Sequence, residues 1–447
     1  MPALFRLAVF FVALTVSACA TAQPSPDAAA DDTVAGDTAA DATAALVAEV
    51  LDAVPLVDGH NDLPWAIRRA WPCDEDPARC AQPNPPGNVG AYNLRATTPG
   101  HTDLARLEAG RVGIQFWSVY IPFSTAEAGT AAVTQLEQID IAKRVFARYP
   151  DVFAETPTAD EAMAAWQDGK IASVLGMEGG HAIENSLGAL RMFYDLGVRY
   201  MTLTHSGTID WADSATDEPQ HDGLNAFGEE VVREMNRLGM LVDLSHVSPA
   251  AMHDALDVTE APVMFSHSSA RGVTDHVRNV PDDVLERLPE NGGVVMVTFV
   301  PSFVNTEVQR WWEARSALMD EARADSVSAD GLIARLSAWA EANPAPNSSL
   351  ADVADHIEHV RDVAGIDHVG IGGDYDGIST VPVGLEDVST YPALLEELAR
   401  RGWTAEDLRK LVGENALRVW REAEAVAARV QAERPPSSAL LTEDGAE

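Results

Sequence analysis

The 447-residue chain has almost no lysine. Lys143, Lys170 and Lys410 are the only three, so 28 of its 31 basic residues are arginines. Against 69 Asp plus Glu, the formal net charge is 31 − 69 = −38. A nucleic-acid partner needs a basic face, so this balance excludes one. It excludes a polybasic membrane contact for the same reason. Cysteine is as scarce, with Cys19, Cys73 and Cys80. The N-terminal apolar run, Leu7 to Val16, is shorter than the ~20 residues a membrane-spanning helix needs. No Gly-x-Gly-x-x-Gly turn follows the first strand-like run, which counts against a dinucleotide-binding open sheet. What remains is a globular composition, 46% hydrophobic and 22% charged.

The two ends stand apart from the rest. Residues 1–18 combine Arg6, the apolar run and Val16-Ser17-Ala18 directly before Cys19. That is the pattern of an export signal. The small residues before Cys19 resemble a bacterial lipoprotein signal, in which the cysteine becomes the acylated N-terminus. The alternative is an ordinary signal peptide with Cys19 incidental. Residues 19–44 are mostly Ala, Asp, Thr and Pro, too polar to offset the entropy of ordering, and read as a flexible tether. Residues 427–447, with Pro435-Pro436-Ser437-Ser438, read as a disordered tail, leaving a domain over 45–426. The expectation is an exported protein of the cell envelope, facing the periplasm or outside. Its membrane contact is through the N-terminal lipid alone. Cys73 and Cys80 lie in one polar loop, and in an oxidising compartment a local disulfide is expected. A free pair is the alternative.

The domain contains eight short apolar runs, each leading to Gly or a polar residue. They are Pro55 to Val57, Val112 to Ile121, Ile171 to Leu175, Val198 to Thr204, Met240 to Leu244, Val263 to Phe265, Val294 to Val300 and Val369 to Ile371. Continuous short apolar runs fit buried parallel strands. Helix-period segments separate most of them, for example Ala131 to Tyr149 and Asn225 to Leu238. Eight such units predict an α/β fold, a (β/α)8 TIM-like barrel, with a doubly wound open sheet as the alternative. In a barrel the chemistry sits at the C-terminal ends of the strands. The residues found there are His60, Asp62, Glu178, His205, His246, His267 and Asp374.

These are metal-ligand and acid/base types. His60 and Asp62, two apart on extended chain, point to one side. Glu178, between glycines, carries two oxygens and can bridge two ions. His246 and His267 offer two imidazoles, which suit zinc. Each residue alone has an ordinary structural explanation, a turn carboxylate or a buried histidine. Together they predict a dinuclear site: His60 and Asp62 on one ion, His246 and His267 on the other, Glu178 between. Two ions ~3.5–4 Å apart can hold a hydroxide as nucleophile and polarise a carbonyl, which predicts amide or ester hydrolysis.

The sequence resembles the membrane (renal) dipeptidase family of the amidohydrolase superfamily. The stretches that carry the resemblance are Val57-Asp58-Gly59-His60-Asn61-Asp62-Leu63-Pro64, Gly176-Met177-Glu178-Gly179, Leu203-Thr204-His205-Ser206 and Asp243-Leu244-Ser245-His246. Phe265-Ser266-His267-Ser268, Arg278-Asn279-Val280-Pro281 and Gly372-Gly373-Asp374-Tyr375-Asp376-Gly377 follow in family order. The resemblance implies two Zn2+ per chain, held by His60, Asp62, Glu178, His246 and His267. It implies that His205 polarises the substrate carbonyl and that Arg278 holds the substrate's C-terminal carboxylate, with Arg271 a rival. Asp374 is implied as the proton shuttle, with Asp376 the competing choice. The implied substrate is a small dipeptide, including those with a C-terminal D-residue, and a homodimer is the assembly by analogy. Two other readings stay open. One is another hydrolase on the same barrel. The other is a lipid-anchored binding protein whose metal site is structural.

Overall fold

The computed structural model describes residues 42–69, 87–442 and 445–446. The expectations for residues 1–18, for Cys19 and for the Cys73–Cys80 pair lie outside the described residues. A helix over 42–53 begins inside the segment read as a tether to residue 44. Val47, Val50, Leu51 and Val54 recur at helical spacing and are buried, which is why the chain orders there.

Nine parallel strands form the centre of the domain. They are β1 (Leu56–Asn61), β2 (Val112–Ser118), β3 (Phe153–Glu155), β4 (Ile171–Glu178), β5 (Val198–Thr202), β6 (Leu241–Asp243), β7 (Met264–Phe265), β8 (Val294–Val297) and β9 (Val369–Ile371). Hydrogen bonding runs in the order β2-β1-β9-β8-β7-β6-β5-β4, and β2 also pairs with β4, closing a ring of eight. The short β3 is extra. It pairs with the first three residues of β4, from Phe153↔Ile171 to Glu155↔Ser173. Every one of the eight apolar runs supplies one strand of the ring. β1, β2 and β4 are buried along their whole length, inside by barrel side chains and outside by helices.

Helices form where the sequence supplies a cap and an apolar stripe. Ala226–Leu238 is an example. The Asn225 side chain accepts from the Phe227 and Gly228 amides, and Gly239 ends the helix in the left-handed region. Its Phe227, Val231, Val232 and Met235 are buried. Two further helices, Thr306–Ala324 and Ala329–Ala342, form an insertion after β8 that the apolar runs did not announce. They meet through Trp311 and Trp339, ring centres 5.2 Å apart. No helix among the described residues is long and apolar enough to cross a membrane.

The C-terminal end differs from the sequence expectation. The last helix runs Asn415–Glu433, past the boundary read at 426, because Trp420, Ala423, Ala427 and Val430 continue one buried stripe. Beyond it, the Ser437 amide donates to Glu234 Oε2 at 3.2 Å and its hydroxyl to Glu230 Oε2 at 3.0 Å. Arg429 and Arg434 both reach Glu260. Pro and Ser content suggested disorder there, but tertiary hydrogen bonds hold residues 434–442 against the domain.

Candidate metal centre

Six of the ring strands deliver a ligand-type side chain to one end of the barrel. His60 is the next-to-last residue of β1, with Asp62 just beyond the strand, and Glu178 ends β4. His205, His246, His267 and Asp374 follow β5, β6, β7 and β9. The base under β1 is Asp58, fully buried, which ties three elements to the site. Gly373 N donates to it at 2.8 Å, Gln115 Nε2 at 2.9 Å and Tyr391 Oη at 2.7 Å.

Glu178 occupies the middle. Its Oε1 is 2.9 Å from His246 Nε2 and 3.4 Å from His267 Nε2. Its Oε2 is 3.5 Å from His60 Nε2, which in turn is 3.2 Å from Asp62 Oδ2. Three sets of donor atoms lie mutually within 4.8 Å: His60 with Glu178 and His267; Glu178 with His205 and His246; and His60 with Asp62 and Asp374. All five expected ligands and both expected acid/base residues are therefore brought together. The His267 ring centre is 3.8 Å from that of His60 and 4.9 Å from that of His246, so it adjoins both halves of the site.

The donor set fits cations. His246 Nε2 and His267 Nε2 face each other at 2.9 Å. Burial holds both rings well below the usual histidine range, Arg278 and His205 adding to this at His246 and His60 at His267. They are neutral, and unless one carries its proton on Nε2 their facing lone pairs repel, which a metal between them would relieve. His60 Nε2 and Asp62 Oδ1 are likewise buried without a hydrogen-bond partner. Burial opposes ionisation of Glu178, but His60 first, then hydrogen bonds from His246 and His267, hold it well below the carboxylate range. A charged carboxylate beside the two neutral imidazoles of His246 and His267 is a donor set that suits a divalent metal.

Hydrogen bonds behind the His267 ring assign its proton. Asp243 is fully buried, and its Oδ2 accepts from Ser266 Oγ at 2.6 Å and Thr202 Oγ1 at 2.5 Å. A carboxylate cannot donate, so the single Ser266 hydroxyl proton is committed to it. Ser266 Oγ, 2.8 Å from His267 Nδ1, must then accept from that nitrogen. This leaves Nε2 with its lone pair toward the cluster, the arrangement a metal ligand needs. Asp243→Asn would place an amide against the two hydroxyls and turn the Ser266 proton toward Nδ1. The expected result is a 10–100-fold loss of metal affinity, the usual scale for such supporting partners. A zinc titration against a competing chelator reads it. Unchanged affinity in a folded variant would remove this role.

Backbone strain also serves the site. His246, Asp374 and Asp376 have positive φ, at 72°, 61° and 66°. Such conformations cost about 1 kcal/mol or more for a residue with a Cβ and persist where the surroundings enforce them. Asp374 is pushed well up by burial, with Asp62 and Glu178 adding and His60 and Arg278 opposing. Asp376 also lines the cavity above the donors, but it is tied to His101. Its Oδ1 accepts from His101 N at 2.7 Å, and its own amide donates to His101 Nδ1 at 3.0 Å, holding the neighbouring loop.

Above the donors is a cavity of about 290 Å3, lined also by Trp65, Arg69, Tyr120, Arg278 and Phe303. Arg278 is buried, 5.5 Å over the Phe303 ring, and makes only long contacts to Ser268 Oγ (3.5 Å) and His267 O (3.4 Å). Burial lowers it to about 10, so it stays charged at neutral pH without a carboxylate partner among the described residues. Arg271, the rival, donates to Val277 O at 2.7 Å and does not line the cavity. His205 Nε2 is 3.8 Å from Glu178 Oε1, its ring between those of Tyr120 and His246. Trp65, Tyr120, Tyr200, Asp243 and Phe303 were not singled out from sequence. Tyr120 is the next-to-last residue of the second apolar run, which was the one available signal for it. A larger hollow, about 670 Å3, opens at the starts of β2 and β4, at the opposite end of the barrel from the ligand cluster.

Comparison with known proteins agrees with this geometry. Residues 44–434 match the family model described as membrane dipeptidase (peptidase family M19). Dipeptidase 3 of Rattus norvegicus is 41% identical over 377 residues, which cover 83% of this chain and 66% of that protein. The match thus spans just under two thirds of that relative's length. A Rhodobacter sphaeroides metallopeptidase, solved with a phosphinate mimic of L-Ala-D-Ala, is 26% identical with a TM-score of 0.66, covering 83% of this chain and 99% of that one. The probable dipeptidase PvdM from Pseudomonas aeruginosa shares the fold, with a TM-score of 0.72 at 22% identity over 87% of this chain and all of that one.

Proposed function

This chain belongs to the membrane dipeptidase family, peptidase family M19, and on that premise we propose that it is a zinc-dependent dipeptidase. The observation that carries the proposal is Glu178, with one oxygen facing His60 and the other facing His246 and His267. In this reading His60, Asp62, Glu178, His246 and His267 would hold two Zn2+, which would supply an acidified water as nucleophile and polarise the scissile carbonyl. The chain's own residues do the rest. Arg278 grips the substrate's terminal carboxylate, because its guanidinium is charged, buried and unpaired. His205 presents Nε2 where the carbonyl oxygen gains charge. Asp374, next to His60 and Asp62, receives the proton of the attacking water on its carboxylate and delivers it to the departing amine. The cavity's modest volume, about 290 Å3, with Arg278 in its lining, suits a substrate of about two residues. The relative liganded with a mimic of L-Ala-D-Ala supports acceptance of a C-terminal D-residue.

Purified protein reloaded with zinc is expected to hydrolyse L-Ala-L-Ala and L-Ala-D-Ala, to lose this activity on chelation, and to regain it with two zinc equivalents. Hydrolysis that survives complete metal removal would sink the metallopeptidase reading. Bound zinc without any dipeptide turnover would favour a structural metal site.

A further inference from the structure

In a chain this acidic, arginine is usually paired. Arg68, immediately before Arg69, reaches Glu137 at 2.6 Å, Arg95 reaches Asp151 and Arg106 reaches Asp103. Yet the two arginines that line the catalytic cavity, Arg278 and Arg69, have no carboxylate partner among the described residues. The first already has a proposed ligand. Arg69 does not.

Its place in the barrel says what it faces. Arg69 ends the helix Leu63–Arg69, which follows β1, and it is exposed. Trp65 on the same helix packs edge-on against Tyr120, which follows β2, with ring centres 5.0 Å apart. Arg278 and Phe303 follow β7 and β8. In the ring of eight, β1, which leads to Arg69, stands three strands from β7, which leads to Arg278, and β2, which leads to Tyr120, stands four strands from it. The cavity therefore has toward each side a guanidinium without a carboxylate partner among the described residues. If Arg278 holds the C-terminal carboxylate, the amino-terminal residue lies on the β1–β2 side, among Trp65, Tyr120 and Arg69.

We propose that Arg69 is a specificity-determining residue that selects dipeptides whose amino-terminal residue has an anionic side chain, Asp or Glu. The inference rests on the dipeptidase reading and on the polarity it gives the substrate. Trp65 and Tyr120 form an apolar wall for the side-chain methylenes, and the guanidinium meets the carboxylate at the rim. Guanidinium and carboxylate match as a planar, two-point pair. The contact is partly solvated, so its effect weakens as salt rises.

The test is a panel of Glu-Ala, Gln-Ala, Lys-Ala and Ala-Glu with the zinc-loaded, full-length protein at low ionic strength. The expected kcat/KM ratio of Glu-Ala to Gln-Ala is roughly 10, falling toward 1 in 0.5 M salt, as expected for an exposed charge contact. In Arg69→Gln the ratio is expected within twofold of 1, and in Arg69→Glu the preference moves to Lys-Ala. Ala-Glu, with its acid at the other end, should show no dependence on residue 69. Equal rates for Glu-Ala and Gln-Ala in the natural protein, or a ratio that persists in Arg69→Gln, would overturn the inference and leave the dipeptidase reading intact. No hydrolysis of any dipeptide in the panel would overturn both.

Discussion

Glu178→Gln is expected to reduce dipeptide hydrolysis by about 1,000-fold, near the upper end for losing one directly acting group. The carboxylate touches both halves of the site, at 2.9 Å to His246 and 3.5 Å to His60. Gln keeps the shape but removes the negative charge and replaces one acceptor with an NH2 donor. Whichever way the amide turns, its hydrogens face an imidazole lone pair on one side. The expected chemical signature is loss of at least one of two zinc equivalents by elemental analysis, with the far-UV spectrum unchanged. Glu178 is 4% exposed and ringed by polar groups, so the swap leaves the apolar core untouched. Full activity with two zinc equivalents in this variant would reject the bridging assignment.

Asp374→Asn is expected to lower kcat by 10^2–10^4-fold, the range of a general acid/base, while zinc content and KM change little. The carboxylate lies with His60 and Asp62 but makes none of the hydrogen bonds that hold the fold. Its amide, which anchors it by donating to His60 O at 3.1 Å, is retained in the variant. Asp376→Asn is the control. That residue serves the 98–103 loop through His101, so its expected effect is on stability and smaller on kcat. The reverse outcome, with Asp376→Asn silencing kcat and Asp374→Asn nearly normal, would exchange the two roles. Loss of zinc in Asp374→Asn would make it a ligand instead.

Much of this site could be read from the chain because of how a barrel is built. Each ligand follows an apolar run, and burial of the strands makes those runs continuous. The motif after β1 and the glycine-flanked Glu178 were readable for that reason. Tyr200, 2.8 Å from His60 Nδ1, was not, because it sits inside a strand-like run where an aromatic residue looks like core. Asp243 was quoted as part of a motif but had no visible role. Only the meeting of β5, β6 and β7 shows it collecting Thr202, Ser266 and the amides of Ser245 and Ser266. The domain's last boundary was misplaced because local composition at 427–442 is polar, while its order comes from Glu230, Glu234 and Glu260 far away in sequence. The insertion over 306–342 was missed because few of its apolar residues are buried, only Val308 and Ala322, so no apolar stripe marks it.

What the sequence determines by itself is periodicity and residue type: eight apolar runs, the donors at their ends, the scarcity of lysine and the excess of acid. Those properties are local, so they are written in the order of the letters. Which oxygen of Glu178 faces which histidine, which nitrogen of His267 keeps its lone pair, and which two arginines line the cavity are decided only when the ring closes. Each depends on a neighbour from a different strand, and distance in space is the quantity that a linear sequence does not carry.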